Sequence, residues 1–210
     1  MLWLRAMRTH TLLALAMALA SVVAVPALTG CATSAAAPTS TSVRARDLVP
    51  LAIGNQWDYR VSADGGGATS SVKIVDKDAQ GFFIDNLGNR LAPRTDGLFD
   101  GDRFLVQEPV EQGHQWIAVP KDQPNVVERY RIASVAASVQ VPAGTFEGCV
   151  EVEAEQVVQQ GVMKMTWTFA PGVGLIRISQ RVAPTGAAER TTMTMELVKY
   201  ALQPAPAPAG

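Results

Sequence analysis

The hydrophobic positions of the chain recur at every second residue over most of its length. Segment 148–156 alternates strictly, with Glu151, Glu153 and Glu155 on one face and Val150, Val152 and Ala154 on the other. Segment 162–169 also alternates and places four large side chains on one face: Met163, Met165, Trp167 and Phe169. Alternation of this kind predicts β-strands with one buried face.

Further strands are predicted at 57–61, 71–75, 82–84, 103–106 and 189–200. Glycine-containing turns separate them, and no segment has the 3.6-residue period of an amphipathic helix. The predicted fold class is therefore all-β, an antiparallel meander of about ten strands that forms a curved sheet or a flattened barrel.

The segment 141–145, Val-Pro-Ala-Gly-Thr, predicts a tight hairpin. Proline suits the fixed φ of a type I turn, and glycine suits the positive φ of the bulge that follows such a turn. A three-residue loop would place Arg131 opposite Glu155 on the polar face of the sheet. Val135 would likewise lie opposite Glu151 on the polar face. On the apolar face, Ile132 would lie opposite Ala154 and Ala136 opposite Val150.

A weak internal repeat relates 50–57 (Pro-Leu-Ala-Ile-Gly-Asn-Gln-Trp) to 109–116 (Pro-Val-Glu-Gln-Gly-His-Gln-Trp). Each copy leads into a predicted strand. We interpret each copy as a proline-initiated loop, a glycine turn and a tryptophan that enters the core where the strand begins. Two equivalent tryptophans, Trp57 and Trp116, would suit the two ends or the two halves of one sheet.

The first thirty residues have the features of an export signal. Arg5 and Arg8 supply positive charge, and 11–27 is an uncharged apolar run. The run is shorter than the roughly 20 residues of a membrane-spanning helix. It is followed by Leu28-Thr29-Gly30-Cys31, which resembles the lipobox of bacterial lipoproteins. The alternatives are an ordinary secretory signal and a transmembrane anchor.

The lipobox resemblance implies cleavage between Gly30 and Cys31, attachment of lipid to the Cys31 thiol and acylation of the new amino group. Two or more acyl chains hold a protein stably on a membrane. In lipoproteins an aspartate after the cysteine commonly retains the protein in the inner membrane, and here that position is Ala32. The expected location is therefore outside the cytoplasm, lipid-anchored, with the outer membrane favoured.

The mature chain is predicted to have three parts. Residues 31–47 form a disordered tether rich in Ala, Ser, Thr and Pro, 48–202 form a single all-β domain, and 203–210 form a disordered Pro/Ala-rich tail. Removing Arg5 and Arg8 from the 18 basic side chains leaves 16 against 19 acidic ones, with no basic cluster. Nucleic acid is therefore not an expected partner.

Three segments carry a family resemblance: 50–57, 141–146 with Cys149, and 169–175 (Phe-Ala-Pro-Gly-Val-Gly-Leu). Together they resemble the TapB-like group of exported bacterial proteins, which carry a domain of unknown function. Their order and spacing carry the resemblance, which spans most of 48–202. It implies an all-β domain, often lipid-anchored, with no established activity and no assigned catalytic residues.

The sequence offers few groups for catalysis or metal binding. With Cys31 lipidated, the mature chain has one free thiol, Cys149, and one imidazole, His114, so these two residues form its only thiol–imidazole pair. We expect Cys149 to be a half-exposed structural thiol. Asp96, Asp100 and Asp102 lie close together but lack the spacing of a calcium loop. We therefore expect no enzyme activity, no cofactor and no metal site.

Binding remains as the expected function. The preferred hypothesis is a non-catalytic binding or assembly module on the periplasmic or surface side, with an unidentified protein partner. The alternative is a carrier or sensor of a lipid-like apolar ligand, lined by Met163, Met165, Trp167 and Phe169. Curved sheets and barrel mouths hold such ligands, and methionine adapts to them. A filled interior would exclude this alternative.

Overall fold

Twelve antiparallel strands form one sheet in the part of the chain that the computed structural model describes, residues 43–64, 66–121, 123–159 and 161–204. A one-turn helix, α1 (Ala45–Leu48), precedes them. The strands are β1 (Gln56–Ala63), β2 (Gly66–Lys77), β3 (Phe83–Asp85), β4 (Arg90–Arg94), β5 (Gly97–Phe99), β6 (Phe104–Gln107), β7 (Gln115–Ala118), β8 (Glu128–Val141), β9 (Gly144–Val158), β10 (Gly161–Ala170), β11 (Gly174–Pro184) and β12 (Arg190–Ala201). The all-β class is confirmed, with twelve strands in place of about ten.

The order of the strands in the sheet is β6-β5-β4-β3-β2-β1-β12-β11-β10-β9-β8-β7. The first and last strands of the chain therefore pair with each other in the middle of the sheet. The two edges are β6 and β7, which follow one another in the sequence. The sheet curves so far that these two edges touch. The contact is a hydrogen bond of 3.0 Å, which the indole Nε1 of Trp116 in β7 donates to the carbonyl oxygen of Phe104 in β6. The result is a nearly closed barrel.

The predicted alternation appears directly in the burial of β9. Val150 and Val152 are fully buried and Ala154 nearly so, while Glu151 and Glu153 are half-buried on the opposite face. The valine and alanine face of β9 contributes to the core of the barrel. Large side chains from other strands complete this core, including Tyr130, Phe169, Ile176 and Leu197. A period of two therefore identifies which face of each long strand is turned inward.

The two copies of the repeat have the same local structure. The amides of Gly54 and Gly113 donate hydrogen bonds of 2.8 Å to the carbonyls of Ile74 and Ile132 in the neighbouring strands. The amides of the two isoleucines return bonds of 2.9 Å to the residue that follows each glycine. Both glycines have a positive φ, 95° and 92°, which side chains other than glycine rarely adopt.

The tryptophan that ends each copy is buried, as predicted. Trp57 is 4% exposed and donates from Nε1 to the carbonyl oxygen of Val173 at 2.7 Å. Trp116 is 8% exposed and makes the corresponding bond to Phe104. One tryptophan lies in a central strand and the other in an edge strand, so the repeat marks two separate places in one sheet.

The loop of the β8–β9 hairpin differs from the prediction. Val141 pairs with Gly144, so the loop consists of Pro142 and Ala143 alone. The two-residue loop displaces the register by one position, and three irregularities further along the ladder displace it again. The predicted three-residue loop is therefore wrong.

The pairs that the loop was expected to set are consequently displaced. Arg131 lies opposite Glu153, not Glu155, and its Nη2 is 2.6 Å from Oε2 of Glu153. Ile132 lies opposite Val152. The displacement is two residues, and a shift of two returns each side chain to the same face of the sheet. The register was wrong. The faces were correct at Arg131 and Ile132 but wrong further along β8, where Val135 packs against the core and Ala136 is exposed.

Residues from the predicted tether and tail contact the sheet. Ala45 in α1 is fully buried, and its amide donates a hydrogen bond of 2.8 Å to Oε1 of Glu108. The amide of Gln203 donates to Oδ1 of the buried Asn55 at 2.7 Å. The signal with Gly30 and Cys31, the tether up to residue 42 and the tail from residue 205 lie outside the described residues.

Candidate functional site: an apolar cavity and its polar neighbour

The barrel contains an apolar cavity of about 390 Å³ that is partly open to solvent. Its walls come from both the N-terminal and C-terminal halves of the sheet and include Trp57, Val72, Ile74, Phe169, Leu175 and Ile178. Ser70, Val72 and Ile74 of β2 enter the wall at alternate positions, as the pleat of a strand requires. A cavity of this size lies within the range of small-molecule binding sites, about 300–1,000 Å³.

The methionine and aromatic stripe of β10 contributes only in part to this wall. Trp167 and Phe169 line the apolar cavity. Met163 and Met165 line instead a separate space of about 50 Å³, which Trp167 also borders. The expected four-residue lining is therefore divided between two spaces. The wall residues of β1 and β2 were not predicted, although the alternation of β2 gave a signal for them.

A polar cavity of about 380 Å³ adjoins the apolar one. Asn89, Arg90 and Asp100 line both cavities. The remaining wall of the polar cavity consists of Gly88, Asp102, Arg103, Pro120 and Gln123. The two cavities therefore adjoin along a shared wall, one side of which is apolar and the other polar.

The polar wall is held together by Asp100 and Arg103. Oδ1 of Asp100 accepts hydrogen bonds from the backbone amides of Asp102 (2.9 Å) and Arg103 (2.8 Å). Nη1 of Arg103 binds both carboxylate oxygens of Glu128, at 2.5 and 2.6 Å. Burial alone would lower the pKa of the Arg103 guanidinium, but its carboxylate partners Glu128 and Asp100 outweigh burial and raise that pKa. Arg103 is therefore a fixed positive charge.

A column of aromatic rings supports the wall beside Trp167. Tyr130 stacks on Trp167 with ring centroids 5.9 Å apart and on Trp116 at 5.2 Å, and Trp116 stacks on His114 at 5.7 Å. Burial and a hydrogen bond to Glu128 raise the pKa of the Tyr130 hydroxyl. The column links the edge strand β7 to the cavity wall through stacked rings.

Cys149 is fully buried, not half-exposed as expected. The tip of the β8–β9 hairpin bends over β12, where the amide of Ala143 donates to the carbonyl of Leu197 at 3.0 Å. Cys149 and its neighbour Val150 are both buried, at a point where the β8–β9 ladder shifts register. Burial, reinforced by Glu151 and Glu147, raises the pKa of the Cys149 thiol to about 11. The thiol is therefore neutral at physiological pH.

The other residues considered for chemistry have local structural contacts. His114 stacks on Trp116, whereas the Cys149 thiol donates to the carbonyl of Phe146 at 3.4 Å. The carbonyl of Asp96 accepts the amide of Glu108, and Asp100 caps its own turn. Within the described ranges no three His, Cys, Asp or Glu residues are grouped so that they could hold a metal ion. The same ranges contain no helix with the length and apolarity needed to cross a membrane.

The fold and the site define a barrel-like β-domain with an internal apolar cavity. No protein-family model and no curated protein matches the chain. Among solved structures it is similar to a protein described as exported, with a YmcC-like fold, from Bacteroides fragilis (13% identity, TM-score 0.39, 74% of this chain and 99% of that one). It is also similar to a protein described as a lipoprotein from Parabacteroides distasonis (12% identity, TM-score 0.39, 73% and 98%). The TapB-like resemblance and the lipidation of Cys31 stay predictions.

Proposed function

We propose that this protein is an exported lipoprotein, anchored through lipid on Cys31, whose barrel binds an apolar ligand. The observation that carries the proposal is the cavity of about 390 Å³ lined mainly by aliphatic and aromatic side chains. Protein interiors are normally packed with few voids larger than a water molecule. A space of this size and chemistry therefore favours a ligand over a purely structural core.

The cavity changes the preference between the two binding hypotheses. The sequence favoured an assembly module, and a filled interior would have excluded the carrier. The described interior is not filled. Burying about ten methylene groups at about 0.8 kcal/mol each yields about 8 kcal/mol, the free energy of a micromolar Kd, before the costs of association are subtracted. An apolar chain alone can therefore supply useful affinity.

A cavity-filling substitution tests the proposal. Val72 of β2 lines the cavity, and Lys73 beside it is exposed on the opposite face. The mature chain with Cys31→Ser can be purified without detergent and titrated with N-phenyl-1-naphthylamine, whose fluorescence rises in an apolar environment. We expect Val72→Trp to weaken binding at least tenfold and the matched control Lys73→Trp to leave it unchanged. Equal binding by both folded variants would contradict the proposal.

A further inference from the structure

We infer that the ligand is an amphiphile with one alkyl chain and a zwitterionic headgroup, its chain in the apolar cavity and its headgroup in the polar cavity. This inference rests on the proposed function and deepens it. Its basis is the juxtaposition of two spaces of similar size, about 390 and 380 Å³, that share Asn89, Arg90 and Asp100 in their walls. A molecule with only an apolar part would leave the second space unused.

The volume of the apolar cavity suits an alkyl chain. A water molecule occupies about 30 Å³ of liquid, and a methylene group is of similar size, so 390 Å³ has room for at least roughly a dozen such groups. One alkyl chain of medium length therefore fits this space.

The polar cavity carries charges of both signs, two arginines (Arg90, Arg103) and two aspartates (Asp100, Asp102). Burying a charged headgroup without a partner of opposite sign is costly. A headgroup with charges of both signs finds a partner for each. Headgroups with a single charge leave one set of wall charges without a new partner.

The existing contacts indicate which charges are available to a headgroup. Arg103 and Asp100 are engaged with each other, Nε to Oδ2 at 3.3 Å, and Arg103 also binds Glu128. Asp102 accepts only the backbone amide of Lys121 among the described contacts, at 3.1 and 3.2 Å. Arg90 pairs with Asp78, and its side chain is 41% exposed.

The positions of Arg90 and Asp102 give the headgroup a direction. Arg90 lies at the boundary between the two cavities, whereas Asp102 lines only the polar cavity and not the apolar one. Asp100 lies at the same boundary but is already paired with Arg103, so the geometry favours an anionic group next to the chain and a cationic group beyond it. Asp85 lines the apolar cavity near this boundary. With Asp78 and Glu128 it makes the surroundings acidic, which disfavours a headgroup that is only anionic.

Three probes with the same dodecyl chain test the inference on the unchanged mature chain. They are dodecylphosphocholine (zwitterionic), dodecyltrimethylammonium (cationic) and laurate (anionic), each below its critical micelle concentration. Displacement of the fluorescent probe gives the three Kd values. We expect dodecylphosphocholine to bind at least fivefold more tightly than laurate, with the cationic probe between them.

The outcomes separate this inference from the proposed function. If the three Kd values differ from one another by less than twofold, the headgroup lies in solvent. That result would overturn this inference and leave the proposed apolar binding site unaffected. Tightest binding by laurate or by the cationic probe would also overturn it. Failure of all three probes to bind would overturn both.

Two charge substitutions extend the test. Arg90→Gln is expected to weaken binding of dodecylphosphocholine and laurate at least threefold, and Asp102→Asn to weaken dodecylphosphocholine and the cationic probe. Arg94→Gln is the matched control. Both guanidinium groups lie over the Phe82 ring, that of Arg90 at 4.3 Å and that of Arg94 at 5.0 Å from its centroid, but Arg94 lines neither cavity. Equal effects of Arg90→Gln and Arg94→Gln would contradict the assignment of Arg90.

Discussion

The indole of Trp116 and the carbonyl of Phe104 join the two edges of the sheet through one hydrogen bond of 3.0 Å. In the described part of the chain β6 and β7 share no backbone ladder. Edge strands carry unpaired backbone groups that invite association with other strands. The Trp116 bond, together with the Arg103–Glu128 pair beside it, therefore closes the barrel with side chains.

Loss of the Trp116 hydrogen bond should destabilise the domain. Trp116→Phe keeps an aromatic ring on Tyr130 but leaves the Phe104 carbonyl without its donor, which costs about 1–3 kcal/mol. Urea denaturation followed by circular dichroism measures the free energy of unfolding. Gln115→Ala, at the exposed neighbouring position, is the control and should change it by about 0.5 kcal/mol or less. If the two variants are equally stable, the side-chain closure is unimportant for stability.

The register of β8 and β9 can be measured with a double-mutant cycle. Arg131 and Glu153 are partly exposed, so their coupling should be about 0.2–1 kcal/mol. The cycle uses Arg131→Gln and Glu153→Gln in urea denaturation at low salt. The same cycle with Glu155→Gln, the partner expected from a three-residue loop, should give a coupling near zero. A larger coupling to Glu155 would restore the sequence-based register.

Local features of this protein were predictable, and features that depend on distant parts of the chain were not. The faces of β9 follow from alternation within the strand, and the conformation at Gly54 and Gly113 follows from two similar eight-residue segments. The pairing of β1 with β12 brings together Trp57 and Tyr200, which no local pattern relates. The apolar cavity lies between these distant segments, so its existence could not be deduced from alternation.

The errors in the site have the same physical origin. Met163 and Phe169 share a strand face, but the neighbours of that face change along β10, so the two side chains line different spaces. From the alternation of β9, Cys149 was expected to be half-exposed. Cys149 and Val150 are instead both buried, where the ladder with β8 shifts register and the alternation is interrupted. Strand periodicity gives the face of a residue, and tertiary packing decides what covers that face.

The buried Cys149 thiol should be unreactive in the folded protein. In the mature chain with Cys31→Ser it is the only thiol, so its reaction with iodoacetamide can be followed by mass spectrometry. We expect slow modification at pH 8 and rapid modification in urea, because the thiolate is the reactive form and the pKa is raised to about 11. Modification at equal rates in both conditions would contradict the burial of Cys149.

The same pKa shift predicts how stability depends on pH. A cysteine in an unfolded chain has a pKa of about 8.5, whereas the folded value is about 11. The folded state therefore favours the protonated thiol, and this contribution is complete below about pH 8.5 and is lost as the pH rises towards 11. The difference in unfolding free energy between Cys31→Ser and Cys31→Ser/Cys149→Ala should shrink over that range. A difference that is constant from pH 7 to 10.5 would refute the shift.

The proposed anchor makes a prediction about the N-terminus of the mature protein. Cleavage between Gly30 and Cys31 with acylation should give a membrane-extracted protein whose mass spectrum contains no peptide before Cys31 and an N-terminal peptide carrying lipid. Because two or more acyl chains hold a protein on a bilayer, this form should resist extraction with salt or carbonate.

Cys31→Ala removes the thiol that accepts lipid, so we expect an unlipidated protein that retains residues 1–30. Cys149→Ala is the matched control and should be processed normally. Recovery of the unsubstituted protein in the aqueous fraction with residues 1–30 intact would exclude the anchor and leave the cavity-based ligand proposal to be tested by itself.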